Sequence, residues 1–195
     1  ALDLLFNGYC QNIHINDCDI AVFNFWKSIT ENTDNFLKMI KDTDVTIDKW
    51  HEQKIMLNNP DKYSQLEHGF ATFFLNRTNR SGILKGGVIG GKNQDGNYKL
   101  DARYHKENLS KRIEKIGEYK DRIKVYNLDA LELLNQVDSL LPPDSLIYLD
   151  PPYYVKGQGL YRNFYMHDDH VQIRKTLDKV QSKWIVSYDN CTEIK

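Results

Sequence analysis

Ser145 to Asn163 reads SLIYLDPPYYVKGQGLYRN, and the order of residues near its centre decides the fold. Leu146 to Leu149 is an apolar run of strand length. It stops at Asp150, and Pro151 and Pro152 forbid its continuation. Proline has a fixed φ and no N–H to give to a ladder or a helix. The backbone is therefore forced open at the carboxyl end of a strand, the edge at which open α/β sheets bind their ligands. A proline pair alone says little, since Leu141-Pro142-Pro143-Asp144 holds another and reads as a loop entering the strand. The informative feature is the order acid, proline, proline, aromatic directly after the strand.

Working outward, strands and helices alternate. Asn12 to Asn16 (NIHIN) reads as a short strand ending at Asp17, and Ile20 to Thr30 as a helix with Ile20, Phe23, Phe25, Trp26 and Ile29 on a broad apolar side. Two helices are expected between Asn35 and Asn58 and a fourth over Leu66 to Leu75. Gly86-Gly87, Gly90-Gly91 and the Asp95-Gly96 turn, flanked by β-prone residues, predict a hairpin. A helix near Lys106 to Ile116 leads into a strand over Ile123 to Asn127, followed by a short helix and the strand that ends at Asp150. A helix from Asp169 to Val180 and a strand from Trp184 to Tyr188 complete the pattern. It predicts a doubly wound α/β sheet, with residues 1–34 and 118–195 as its core and residues 35–117 as an inserted helical and β-hairpin region.

A chain of 195 residues with 41% apolar and 27% charged content fits one globular domain with a sizeable core. No apolar stretch approaches the ~20 residues of a membrane helix. Cys10, Cys18 and Cys191 are an odd count without a Cys-x-x-Cys pair, which argues against a disulfide framework or zinc site and predicts a cytoplasmic setting. The net charge of -1 hides an asymmetry. Residues 77–124 carry 13 Lys/Arg against 6 Asp/Glu, whereas both flanking segments are acidic. Such a block suits a polyanion, although the run KENLSKRIEKIGEYKDRIK is also what a solvated helix with i, i+4 pairs looks like.

Three acids, Asp17, Asp129 and Asp150, stand just past strand ends. After the second strand of a nucleotide-binding sheet, a carboxylate can accept from both ribose hydroxyls, a role that fits Asp17. The alternative for any one of them is a turn or helix cap. The Asp150 motif suits an exocyclic amine on a heteroaromatic base, whose nitrogen is a poor nucleophile because its lone pair is delocalised. Asp150 and the carbonyl of Pro151 can both accept from such an NH2 group, and Tyr153 offers a face for stacking, worth ~1–3 kcal/mol.

Leu149-Asp150-Pro151-Pro152-Tyr153 resembles the catalytic motif of adenine-specific DNA methyltransferases, and its surroundings resemble the DNA adenine methylase family over nearly the whole chain. NIHIND resembles that family's second strand, with Asp17 at the cofactor ribose. Phe73 to Gly82 (FFLNRTNRSG) and Lys85 to Tyr104 resemble its DNA-recognition segment and hairpin. Asn127-Leu128-Asp129 stands where the family contacts the cofactor adenine, and Trp184 to Asp189 resembles the next strand. The resemblance implies a Rossmann-like methyltransferase sheet and methyl transfer from S-adenosylmethionine to the adenine amino group of double-stranded DNA, with the base flipped out. It makes Asp150, Pro151, Pro152 and Tyr153 the catalytic motif, with Asp17, Asp129 and Asp150 at the cofactor. Arg77, Arg80, Lys85, Lys92, Lys99 and Arg103 become the expected DNA contacts, and neither a metal nor a membrane is implied.

The family's Phe-x-Gly-x-Gly loop, which holds the methionine part of the cofactor, has no counterpart here, and ALDLLFNGY resembles the helix after it. The expectation is a fragment that binds the cofactor weakly without that loop and is inactive alone. Other readings are open. Gly86 to Asn93 lies one residue from a phosphate loop, but Gln94-Asp95-Gly96-Asn97 reads as a turn where a helix is required. His167-Asp168-Asp169-His170 could hold a metal, yet Asp168 or Asp169 more simply caps the next helix. A non-enzymatic DNA-binding module would not need the Asp150 motif, and a methyltransferase for RNA or a protein amide could share it.

Overall fold

The computed structural model describes residues 1–142, 144–154 and 165–192. Contacts divide the chain into two units, Ala1–Asn127 and Leu128–Lys195.

In the first unit, β1 (Ile13–Asn16) pairs in parallel with β2 (Ile123–Tyr126), Ile13 opposite Ile123 and Asn16 opposite Tyr126. Parallel strands need a long crossover, and here the connection carries most of the unit: α2 (Ile20–Glu31), α3 (Thr33–Asp42), α4 (Ile47–Leu57), α5 (Gln65–Thr78) and α6 (Lys106–Glu118). A short α1 (Leu2–Phe6) precedes β1. Asp19 starts α2 by accepting from Ala21 N–H at 2.9 Å. Ser64 and Glu67 start α5 with a reciprocal capping box.

The core of this unit is aromatic. Phe36, Phe70, Phe73 and Phe74 are buried, with Phe25 and Tyr104 packed against them at ring separations of 5.3–6.1 Å. α2 and α5 cross closely because Gly69 has no side chain; a Cβ there would lie 2.4 Å from the carbonyl oxygen of Asn24. Beside the crossing, buried His68 bonds Asn24 Nδ2 through Nδ1 (2.9 Å) and the Leu57 carbonyl through Nε2 (3.2 Å). The amide can only donate to Nδ1, so Nε2 carries the proton.

The hairpin expected within Lys85 to Tyr104 is not built as paired strands. Asn79 and Val88 form an isolated antiparallel bridge, and the chain then runs through turns. Gln94 explains the difference. Its side-chain amide donates to the carbonyls of Ile89 (2.7 Å) and Gly91 (2.6 Å), and its Oε1 accepts from Leu100 N–H (2.8 Å). One side chain thus takes backbone groups that a ladder would have paired. Gly90 and Gly91 sit at φ +81 and +77, and Gln94 itself at φ 54, conformations that turn the chain rather than extend it.

In the second unit, β3 (Leu146–Leu149) pairs in parallel with β4 (Lys183–Val186), Leu146 opposite Lys183 and Leu149 opposite Val186. α7 (Ala130–Leu140) precedes β3, and α8 (His167–Leu177) lies between the two strands in sequence. Ile147 and Leu149 pack against Leu134, Ile173 and Leu177, so the helices cover one face of the pair. On the other face Leu146, Tyr148 and Ile185 are exposed. Among the described residues the fold is mixed α/β with two small parallel sheets.

Candidate active site

The motif loop begins where β3 ends. Leu149 O accepts from Ser187 N–H at 3.0 Å, extending the β3–β4 ladder by one step and bringing Asp150 beside Ser187. Ser187 Oγ donates to Asp150 Oδ1 at 2.7 Å, and the Tyr148 hydroxyl lies 3.1 Å from the same Oγ. Two residues on, Asp189 Oδ1 accepts from Tyr154 N–H at 2.9 Å. The Asp150-Pro151-Pro152-Tyr153 loop is therefore held at both ends by residues following β4. Pro151 is buried, Pro152 and Tyr153 are half-buried, and Asp150 is exposed.

An aromatic cluster backs the loop. His170, 6% exposed, has Nδ1 3.0 Å from the Tyr188 hydroxyl and rings of Tyr154, Tyr165 and Tyr188 around it at 5.2–5.6 Å. Burial pushes the His170 imidazole below its ordinary range, against the opposing pull of Asp169 and Asp189. Burial first, and then Asp189, pushes the Tyr188 phenol up to about 12. Asp169 caps α8 by accepting from Met166 N–H at 2.8 Å, as the capping alternative expected, and His167 Nδ1 meets the Tyr154 hydroxyl at 3.1 Å. Among the described residues no group of three or more His, Cys, Asp or Glu could hold a metal ion.

Asp129 has both oxygens engaged. Oδ1 caps α7 by accepting from Leu131 N–H at 2.8 Å, and Oδ2 accepts from the Tyr165 hydroxyl at 3.1 Å. The helix-cap alternative is thus realised for this acid.

In the first unit, Asp17 N–H donates to Tyr126 O (3.3 Å) beyond the end of β1, and Asn127 Nδ2 donates to Asp17 O (2.7 Å). Two expected cofactor segments, NIHIND and Asn127, are joined there. Asp17 Oδ1 accepts from Asp19 N–H at 2.8 Å. Burial raises the Asp17 carboxyl above its usual range, and this bond only partly offsets it. The first unit also carries all six expected basic residues. Arg80, Lys85, Lys92, Lys99 and Arg103 are exposed and Arg77 is half-buried. Burial, together with Arg103 and Arg112, lowers the Arg77 guanidinium. Tyr104 packs edge-on against Phe73 and tilted against Phe74, and its neighbour Arg103 lies near enough to Arg77, in the last turn of α5, to act on its charge.

Asn79 anchors the loop that follows. It is fully buried, its Oδ1 accepts from Trp50 Nε1–H (2.7 Å), and its Nδ2 donates to the carbonyls of Ile83 (2.9 Å) and Leu84 (3.1 Å). The phosphate-loop reading of Gly86 to Asn93 fails, because turns stand where a strand and a helix would be needed. Sequence reasoning missed Ser187, Asp189 and Asn79. Ser187 and Asp189 had a signal, since Ser187 falls at the end of the strand expected over Trp184 to Tyr188 and Asp189 directly after it; Asn79 had none.

A model of the D12 class N6 adenine-specific DNA methyltransferases matches residues 5–195. The chain belongs to that family. Its reaction is methyl transfer from S-adenosylmethionine to the N6 amino group of adenine, and its substrate is DNA. No curated protein matches the chain. No helix among the described residues is long and apolar enough to cross a membrane.

Proposed function

We infer that this methyltransferase grips a flipped adenine with Asp150, Pro151, Pro152 and Tyr153. The observation that carries the reading is the Asp150 carboxylate held at the end of β3 by Ser187, with one oxygen bonded at 2.7 Å. The target nitrogen has its lone pair delocalised into the ring. The second Asp150 oxygen and the Pro151 carbonyl accept from its two N–H groups, which aims the nitrogen and stabilises the positive charge that develops on it. Asp150 need not take a proton before attack; orientation and charge suffice. Tyr153 supplies the stacking face. A base inside the duplex presents neither its amino group nor its face in this way, so the adenine must leave the stack.

The donor set fits the cofactor. Asp17 is a half-buried carboxylate past β1 that burial disfavours, an arrangement suited to two hydroxyl donors, and it is tied to Asn127. When bound, S-adenosylmethionine supplies an electrophilic methyl group on a sulfonium. Asp17 would hold its ribose; Asp129, with both oxygens engaged, would contribute near the adenine through its backbone. Two parallel strand pairs, each associated with helices, are the repeated unit of a Rossmann-like doubly wound sheet, and we read the chain as that fold. Residues 35–117 form the DNA-recognition insertion, with Arg77, Arg80, Lys85, Lys92, Lys99 and Arg103 on phosphates or base edges of a double-stranded target. The test uses the protein expressed from its own reading frame. Asp150→Ala and Tyr153→Ala should abolish plasmid methylation, read by a methyl-sensitive nuclease, while plasmid binding stays near wild type. Full methylation by Asp150→Ala would remove the catalytic assignment.

A further inference from the structure

We propose that Ser187 is a positioning residue for the methyl transfer, fixing one oxygen of Asp150 so that the other faces the adenine amino group. The inference rests on the reading of Asp150 as the acceptor of that amine.

Register makes the contact. Leu149 lies opposite Val186, and the ladder continues through Ser187 N–H to Leu149 O at 3.0 Å, so Asp150 and Ser187 stand at the same level. Directly paired residues share a face of the sheet, and Tyr148, two residues before Asp150, shares it as well. Hydrogen bookkeeping then sets the direction. An ionised carboxylate can only accept, so the single Ser187 proton goes to Asp150 Oδ1 at 2.7 Å. Ser187 Oγ has no second proton, so the Tyr148 hydroxyl, 3.1 Å away, donates to it. Tyr148 to Ser187 to Asp150 is a one-way chain of donors that ends on the catalytic carboxylate.

The chain matters because Asp150 is exposed and follows the last strand residue, where packing alone does not select its rotamer. A carboxylate bonded through one oxygen presents the other in a defined direction, and orientation of this kind governs reaction at the bound amine. Asp189, bonded to Tyr154 N–H at 2.9 Å, fixes the far end of the same loop, so its two prolines span two anchors. A hydroxyl is needed at position 187, and threonine could keep it.

Steady-state plasmid methylation with labelled S-adenosylmethionine tests the proposal on the expressed protein. Ser187→Ala should lower kcat about tenfold, the scale of one hydrogen bond to a charged group, while KM for DNA and cofactor affinity stay within about twofold. Ser187→Thr should restore most of the loss, and Tyr148→Phe should show a smaller fall, about threefold, in kcat alone. A purely structural serine would move the melting temperature and both constants together, which would overturn the proposal. So would wild-type kcat in Ser187→Ala beside an inactive Asp150→Ala. Activity retained in Asp150→Ala would instead mean that the reading of Asp150 had failed. If Ser187→Ala does not fold, Tyr148→Phe decides, and an unchanged kcat there overturns the proposal.

Discussion

Replacing Asp17 by asparagine should weaken the cofactor and leave the fold as stable as before, or more so. Asp17 Oδ1 accepts one backbone N–H, from Asp19 at 2.8 Å, and an asparagine oxygen can keep that bond. What changes is charge. Burial raises the Asp17 pKa in the folded chain, with the Asp19 carboxylate adding to the rise. A group whose folded pKa is raised adds its full stability below its unfolded value of 3.8, and that stability is lost as pH rises from there through the folded value. At neutral pH the wild type carries the whole penalty and Asp17→Asn carries none. The melting temperature of the variant should equal or exceed wild type at neutral pH, and the gap should close on acidification. The cofactor moves the other way. A carboxylate accepting from a ribose hydroxyl is a charged hydrogen bond, worth about 2 kcal/mol, so the dissociation constant should rise about thirtyfold. Calorimetric titration of S-adenosylmethionine and thermal unfolding at two pH values read both effects. An unchanged dissociation constant, or a fall of several degrees at neutral pH, would show that Asp17 is a structural residue.

Asn79→Ala leaves the Trp50 indole N–H and two loop carbonyls without their partner in a buried site; it should cost about 3 kcal/mol and weaken DNA binding more than cofactor binding, as unfolding and filter-binding measurements would read. If the exposed Lys85 and Lys99 contact phosphates as proposed, reversing their charge should weaken plasmid binding and flatten its salt dependence without changing cofactor affinity. Burial holds the His170 pKa below its ordinary 6.5, so protonation favours the unfolded chain, and stability should fall as pH drops below about 6.5. Thermal unfolding of His170→Gln should lack that acid limb.

What the sequence disclosed was local. Asp150-Pro151-Pro152-Tyr153 announces its place because an apolar strand and two prolines leave one backbone path, and Asp169 could be read as a cap because it sits in the first turn of its helix. The helices were legible from periodicity, although α5 extends to Thr78, past the expected Leu75, because the buried Thr78 and Asn79 continue its packed face. The loop after it was misread. Glycine pairs and an Asp-Gly turn look like hairpin signals, but the bonds of Gln94 to Ile89, Gly91 and Leu100 decide its path, and no propensity encodes them. Ser187 escaped for a different reason. Its partner Asp150 is 37 residues away in sequence, and the contact exists only once the strand register is known.

On the proposal above, this methyltransferase modifies the N6 position of adenine through the Asp150 motif. Nucleoside mass spectrometry of DNA from a methylation-deficient host carrying the protein's own reading frame tests it most directly. N6-methyladenine is expected in DNA from cells with the wild-type protein, and none with Asp150→Ala. N4-methylcytosine in place of N6-methyladenine, or an undiminished N6-methyladenine signal with Asp150→Ala, would contradict it.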